Sequence, residues 1–326
     1  MKRRQALIGI LGLGAGLACV RGAGAQGAAK IPVIGLLDAG ERREWWAALR
    51  QQLQKLGYAE GKNIAFESRF AGGKPERLPV IAQEFVRLKV AMIITSGTAA
   101  AVEAKRATGD IPIVAASGAD YVSLGLATSF ARPGRNLTGM TSINSGLTAK
   151  RLELLREILP KLSRLAVLWH ADNIGSMPAM RDIENAASAS KIVLQNYGVS
   201  TVKELVDSVA TAAKERAEAL FVIAGPFTFS ERGRIAELAL KHRLPTMHGP
   251  SEYVDAGGLI SYAPSYPELF RHAAVYVDKI LKGAKPGDLP IEQPTKFELV
   301  INKKTAKALG VVIPQSVLLR AERVIE

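Results

Sequence analysis

From Ile31 onward, short runs rich in β-branched residues alternate with segments whose apolar positions recur every three or four residues. Residues 31–37 read as a strand. Residues 41–56 follow as a helix, with Trp45, Leu49, Leu53 and Leu56 on one face and Gly57 as its stop. The pattern continues with a strand at 62–68, a helix at 75–88, a strand at 90–95, a helix at 98–107 and a strand at 111–115. A second block repeats the order: helix 147–159, strand 164–169, helix 176–190, strand 192–197 and helix 201–216. Strands at 219–223 and 245–247 then flank a helix at 230–243. A tail adds a strand at 258–262, a helix at 267–282, a strand at 296–301 and a short helix ending at Leu309.

Strands alternating with helices of this length predict parallel sheets covered on both faces. The expected fold is α/β, with two doubly wound, Rossmann-like lobes. Arg132-Pro133-Gly134-Arg135-Asn136 and the polar stretch 141–146 mark the end of the first block. The tail is too short for a third domain, so it is expected to complete both lobes. The N-terminal lobe is assigned residues 31–140 plus about 258–292, and the C-terminal lobe 141–257 plus about 293–326. A chain that crosses more than once between lobes makes a multi-strand hinge.

The first 25 residues read differently. Lys2-Arg3-Arg4 is a positive start, Ala6 to Ala18 an apolar stretch, and Ala23-Gly24-Ala25 a small-residue cleavage site, the pattern of a secretory signal peptide. Cys19, the one cysteine, lies inside it, and a lipid on Cys19 is the alternative reading of the segment. The adjacent arginines leave both the general secretory and the twin-arginine route open. The expectation is an exported, periplasmic chain without disulfides or thiol chemistry. Gly12-Leu13-Gly14-Ala15-Gly16 lacks the spacing and the preceding strand of a dinucleotide loop.

Net charge is +13, and removing the four basic residues of the first 25 leaves +9. The remaining basic residues are mixed with acids, as in Glu41-Arg42-Arg43-Glu44, with no basic stripe interleaved with aromatics. A nucleic-acid partner is not expected.

Ligands of open parallel sheets bind beyond the carboxyl ends of the strands. That rule selects Asp38 after the first strand, Ser96-Gly97-Thr98 after the third, and Ser117, Asp120 and Tyr121 after the fourth. In the second block it selects Trp169, His170, Asp172 and Asn173, then Phe227, and Tyr262 near the tail. Ser96-Gly97-Thr98 opens directly into a helix, whose free N–H groups and dipole suit a carboxylate; simple N-capping is the alternative. Trp169, Phe227 and Tyr262, with Tyr121 opposite, suit a planar group; packing at the lobe edges is their alternative. His170, Asp172 or Asn173 would take a polar substituent, and Asp120 or Asp38 an amino group. No Gly-x-Ser-x-Gly elbow, His-Glu-x-x-His pair or P-loop occurs, and the four histidines lack metal-ligand spacing. The chain looks equipped to bind rather than transform, with no cofactor.

Gly257-Gly258-Leu259-Ile260-Ser261-Tyr262, the stretch from Ala274 to Gly283, and Pro290 to Asn302 carry a resemblance. So do Leu56-Gly57-Tyr58, Glu60-Gly61-Lys62-Asn63-Ile64, Ala131-Arg132-Pro133-Gly134 and Asn136-Leu137-Thr138-Gly139. As a set they resemble the ABC-transporter substrate-binding proteins that include tryptophan- and tyrosine-binding receptors. The resemblance implies a type I periplasmic binding fold whose lobes close on a small-molecule solute. It also implies a membrane permease and an ATPase as partners, with the membrane reached through the permease, and a monomeric receptor. Two positions depart from the family pattern: Asp120-Tyr121-Val122 stands where Asp-Pro-Val is common, and Trp169-His170 where Asn-Pro is frequent. The alternative function is an enzyme on a similar two-lobed scaffold. A transcription regulator of related fold would need a helix-turn-helix where the export segment stands.

Overall fold

The first strand, β1 (Val33–Asp38), is buried over five of its six residues because helices cover both faces of its sheet. The computed structural model describes residues 31–326 apart from 143–144; the expected export segment, with Cys19, lies outside the described residues. In chain order the first lobe then builds α1 (Arg43–Lys55), β2 (Ala65–Phe70), α2 (Leu78–Leu88), β3 (Met92–Ser96), α3 (Thr98–Ala107), β4 (Ile113–Ser117) and β5 (Leu137–Met140). The second lobe follows with α4 (Thr148–Ile158), β6 (Arg164–His170), α5 (Met177–Ala189), β7 (Val193–Val199), α6 (Val202–Lys214) and β8 (Ala219–Val222). It continues through α7 (Pro226–Ser230), α8 (Arg232–Lys241), β9 (Thr246–His248), α9 (Glu252–Asp255) and β10 (Ile260–Pro264). The tail comprises α10 (Tyr266–Leu281), β11 (Ile291–Glu292), β12 (Phe297–Asn302), α11 (Lys303–Leu309), α12 (Gln315–Leu318) and β13 (Arg323–Ile325).

Two sheets result. The six-stranded sheet runs β11-β5-β4-β3-β1-β2 and the seven-stranded sheet β13-β12-β10-β9-β8-β6-β7. Every pairing between these strands is parallel except β10 with β12. In both, the first strand of the lobe lies inside the sheet and the order reverses beside it, the arrangement that opens a crevice at the strand ends.

Two expectations change. Residues 258–292 do not travel together: β10 hydrogen-bonds into the second sheet, whereas α10 packs on α1, β4 and β5 of the first lobe and β11 pairs with β5. The chain therefore crosses between lobes after β5, after β10 and after β11. The second change is β5, four residues where the composition suggested only the close of a block. Gly139 makes it possible. Its φ is +124°, and a Cβ there would lie 2.1 Å from the Ala115 carbonyl oxygen. The Thr138 hydroxyl then ties β5 to the returning chain through the Leu289 carbonyl at 2.8 Å.

Helix α1 anchors the junction of the lobes. Its apolar face buries Trp45, Trp46, Leu49 and Leu53, and the Trp46 ring meets Phe270 of α10 edge-on at 5.0 Å. A single apolar cluster extends from these residues to Phe227, Phe229 and Tyr253 of the second lobe. No helix of the described residues is long and apolar enough to cross a membrane.

Candidate functional site

The strand ends of both sheets face a cavity of about 80 Å³. The first lobe contributes Ser96, Gly97 and the first turn of α3, Ser117 at the end of β4, and Ser142 beyond β5. Gly97 takes φ +85°, a conformation open to glycine and costly for other residues, which turns the chain sharply from β3 into α3. The Gly97 N–H is used, donating to the Ser117 carbonyl at 3.0 Å. The Thr98 hydroxyl is also used, accepting from the Ala119 N–H at 3.1 Å. The first bond inside the helix runs from the Ala101 N–H to the Gly97 carbonyl. The N–H groups of Thr98, Ala99 and Ala100 thus precede the helical ladder, and all three residues line the cavity.

Arg42, just before α1, forms the floor. It is 7% exposed and ion-pairs with the fully buried Asp38. Its guanidinium also lies 3.4 Å from the Ser96 hydroxyl oxygen and stacks 5.2 Å over Trp45 and 5.7 Å over Phe229. Trp45 is in turn stacked on Tyr266, with ring centres 4.2 Å apart and planes 9° from parallel.

The second lobe closes the cavity with Asn173, Gly175, Pro178, Gly225 and Pro226. Its polar groups are turned toward one another. Asn173 donates to the Ser176 hydroxyl at 3.0 Å and accepts from the Gly175 N–H at 3.3 Å. The Gly225 N–H donates to the Thr228 hydroxyl at 2.9 Å, and the Tyr253 hydroxyl lies 3.1 Å from the same oxygen.

The lobes are together around this space. The Trp45 indole N–H donates to Glu252 of α9, Arg232 of α8 lies 3.6 Å from Glu44, and the Trp45 and Phe229 rings are 5.0 Å apart. Burial pushes the Glu252 carboxyl above its ordinary value, against the opposing pull of the Trp45 hydrogen bond.

Of the residues selected from the sequence, Ser96, Gly97, Thr98, Ser117 and Asn173 are brought to the cavity. Asp38 lies directly beneath, but its oxygens are engaged by Arg42, by the Trp46 indole N–H at 3.1 Å and by the Gly40 N–H at 2.9 Å. His170 is 1% exposed behind the Phe227 ring, 5.7 Å away, and burial holds its imidazole below the usual value despite Asp172. Phe227 itself packs into the shared apolar cluster while its neighbour Pro226 lines the cavity.

The others lie elsewhere. Tyr121 is fully buried with its hydroxyl on the Met140 carbonyl at 3.3 Å. Asp120 is exposed and closes its own turn through the N–H groups of Val122 and Ser123. Asp172 points to solvent. Trp169 lies over Gly198 of the neighbouring strand and donates its indole N–H to Asn196 at 2.6 Å. Tyr262 packs on Phe297 at 5.9 Å. The expected platform of Trp169, Phe227 and Tyr262 therefore does not form; the aromatic wall is Trp45, Phe229 and Tyr266.

Sequence reasoning missed Arg42 because it sits in a mixed-charge run that reads as a solvated surface. It placed Trp45 on the core face of α1, which is correct but incomplete. A residue in the first turn of a helix that starts at the strand ends can touch both core and crevice.

A family model for ABC transporter substrate binding proteins matches residues 30–325. A tyrosine-binding protein of Clostridioides difficile is 26% identical over 257 residues, which span 79% of this chain and 74% of that protein. A conserved domain protein of Vibrio cholerae superposes with a TM-score of 0.84 at 26% identity, covering 90% of this chain and all of the other. The ABC domain from Streptococcus pneumoniae in complex with L-Trp gives a TM-score of 0.82 at 22% identity, with 90% of this chain and 99% of that one covered.

Proposed function

The chain belongs to the ABC transporter substrate-binding protein family, and from that premise we propose that its cleft captures a small carboxylate between the lobes. It is a substrate-binding protein of an ABC transporter, and such proteins are receptors that serve an importer from outside the cytoplasmic membrane. We further propose that the chain is released into the periplasm after loss of its first 25 residues. There it works as a monomer without cofactor or chemistry, and hands its solute to a permease driven by an ATPase.

The observation that carries the carboxylate reading is the start of α3. Thr98, Ala99 and Ala100 offer main-chain N–H groups before the first helical bond, at the positive end of the helix dipole and inside the cavity. Arg42 also lines the cavity but adds no net charge there, because Asp38 already balances it. The relatives described above as tyrosine-binding and as bound to L-Trp are consistent with a carboxylate at such a position. Closure follows from the same geometry. A ligand held by the first lobe and covered by Asn173, Gly175 and Pro226 favours the closed arrangement by its extra contacts in that state.

Calorimetric titration of the processed chain with a panel of amino acids, 2-hydroxy acids, sugars and polyols tests this reading. A carboxylate should bind in a one-to-one complex, and at 100 times its dissociation constant should raise unfolding free energy by about 2.7 kcal/mol. Saturable binding confined to sugars or polyols would reject it.

A further inference from the structure

The lobes touch through groups that belong to the protein itself, and one of those contacts is built differently from the rest. Arg232 of α8 lies 3.6 Å from Glu44 of α1, but the Glu44 side chain is 56% exposed. An ion pair so open to water contributes little to holding two lobes together. The contact of the Trp45 and Phe229 rings is apolar and fixes no direction. The hydrogen bond from the Trp45 indole N–H to Glu252 is directional, ends on a carboxyl group and joins α1 of the first lobe to α9 of the second. Trp45 is buried, and Tyr266 stacked on its ring keeps the indole edge turned toward its acceptor. Tyr266 is the first residue of α10, immediately after the chain crosses back from the second lobe, so the donor is braced at the hinge.

Two features separate this bond from the contacts that recognise a solute. Glu252 is not among the described residues that line the cavity, so it acts on a bound solute only through Trp45 and through the placement of the lobes. Donor and acceptor also sit on opposite lobes, so parting the lobes hands the indole N–H and the carboxyl back to water. Neither partner is a ligand atom, so the bond contributes equally to closure whichever solute is held. A receptor whose binding-competent arrangement is populated to a given fraction binds every ligand more weakly by that same fraction. We infer that Glu252 is a positioning residue that latches the lobes through Trp45 and sets one common factor in the affinity for all solutes, while the cavity contacts set their rank. The inference rests on the reading above that the cleft closes on a solute, and it names the protein group that helps to hold it shut.

The chain without its first 25 residues contains no cysteine, so spin labels can be attached at Leu124→Cys in the first lobe and Ile174→Cys in the second, both exposed positions. The distance between the labels is then read by pulsed electron resonance with no solute added. Glu252→Ala should shift the distribution to longer distances than wild type. Glu252→Gln, which keeps an acceptor oxygen of the same reach, should leave it in place. Calorimetry with L-tyrosine, L-tryptophan and L-lactate reads the consequence for binding. Each probe that wild type binds should bind Glu252→Ala at least about fivefold more weakly, by a factor common to the probes within about twofold. In the Trp45→Phe background, which has no indole N–H to donate, Glu252→Ala should cost less than about twofold. Unchanged label distances in Glu252→Ala, or an equal loss of affinity with and without the indole N–H, overturns the latch and leaves the carboxylate reading standing. Wild type that binds no carboxylate overturns that reading, and the label distances then decide the latch on their own. Should Glu252→Ala fail to fold by circular dichroism, Trp45→Phe takes its place in the distance measurement with the same expected shift.

Discussion

The first lobe meets the cavity with main-chain N–H groups and short hydroxyls at the start of α3 and the end of β4, whereas the second meets it with proline, glycine and a closed polar network. Both surfaces come from the same kind of parallel sheet. They differ in whether their donors are already spent. Asn173, Ser176, Gly225 and Thr228 bond among themselves, so the second lobe arrives as a finished wall. Thr98, Ala99 and Ala100 carry donors with no partner inside the helix, so the first lobe holds the polar demand that a ligand must meet. On the reading proposed above, recognition is concentrated in one lobe and enclosure in the other, with Trp45, Tyr266 and Phe229 packed between them.

The comparison extends below the site, to what each lobe needs for its own fold. The first depends on a backbone conformation. Replacing Gly139 with alanine would set a Cβ 2.1 Å from the Ala115 carbonyl oxygen at φ +124°, where the neighbour is backbone and cannot step aside. A loss of about 4 kcal/mol, or failure to accumulate folded protein, is expected in urea denaturation, on the scale of the most disruptive single substitutions. Near-native stability would show that β5 does not pair as described.

The second lobe depends on a neutral imidazole. His248 is fully buried on β9, stacked 4.7 Å from Tyr253, and neither of its ring nitrogens has a hydrogen-bond partner among the described residues. Burial lowers its pKa to about 3. The unfolded chain takes up a proton near pH 6.5 that the folded chain refuses, so this contribution to stability is complete above that pH. It falls as pH drops toward 3, by up to about 1.4 kcal/mol per unit. Between pH 6.5 and 5 the wild type should therefore lose about 2 kcal/mol more than His248→Phe, which keeps the stacked ring and cannot titrate. Parallel pH profiles for the two proteins would show that His248 is hydrated or paired. No first-lobe residue is expected to give an acid sensitivity of this kind, since none of its residues is a histidine buried without a partner.

How far the sequence led is clearest from three places. The place of Ser96-Gly97-Thr98 at the crevice was legible because a polar turn between a β-branched run and a helix lies at the carboxyl end of a strand in a parallel sheet, while ligand contact and simple capping stood as alternative roles for it. Strand β5 was hidden because Leu137-Thr138-Gly139-Met140 is short and contains a glycine, and its pairing comes from β4 and from a strand about 150 residues later, which no local pattern records. The aromatic wall was misplaced because alternation along a strand tells that faces differ without telling which face is which. Trp169 is turned onto Gly198 rather than into the crevice, and the rings that enter it belong to the first turns of α1 and α10 and to α7. The lobe assignment of the tail failed for a related reason. The helical period of 266–281 shows that α10 has an apolar face, but not that this face belongs to the other sheet from the strand just before it.

The division of labour between the lobes is tested most directly by following the backbone amides of the first turn of α3 by nuclear magnetic resonance. The ¹⁵N-labelled processed chain would be titrated with the tightest-binding acid of the panel and, separately, with its primary amide. The account predicts that the Thr98, Ala99 and Ala100 amides move downfield with the acid more than any second-lobe amide. It also predicts that the neutral amide binds at least tenfold more weakly. Equal affinity for acid and amide, or shifts confined to the residues around Asn173 and Gly225, would contradict it.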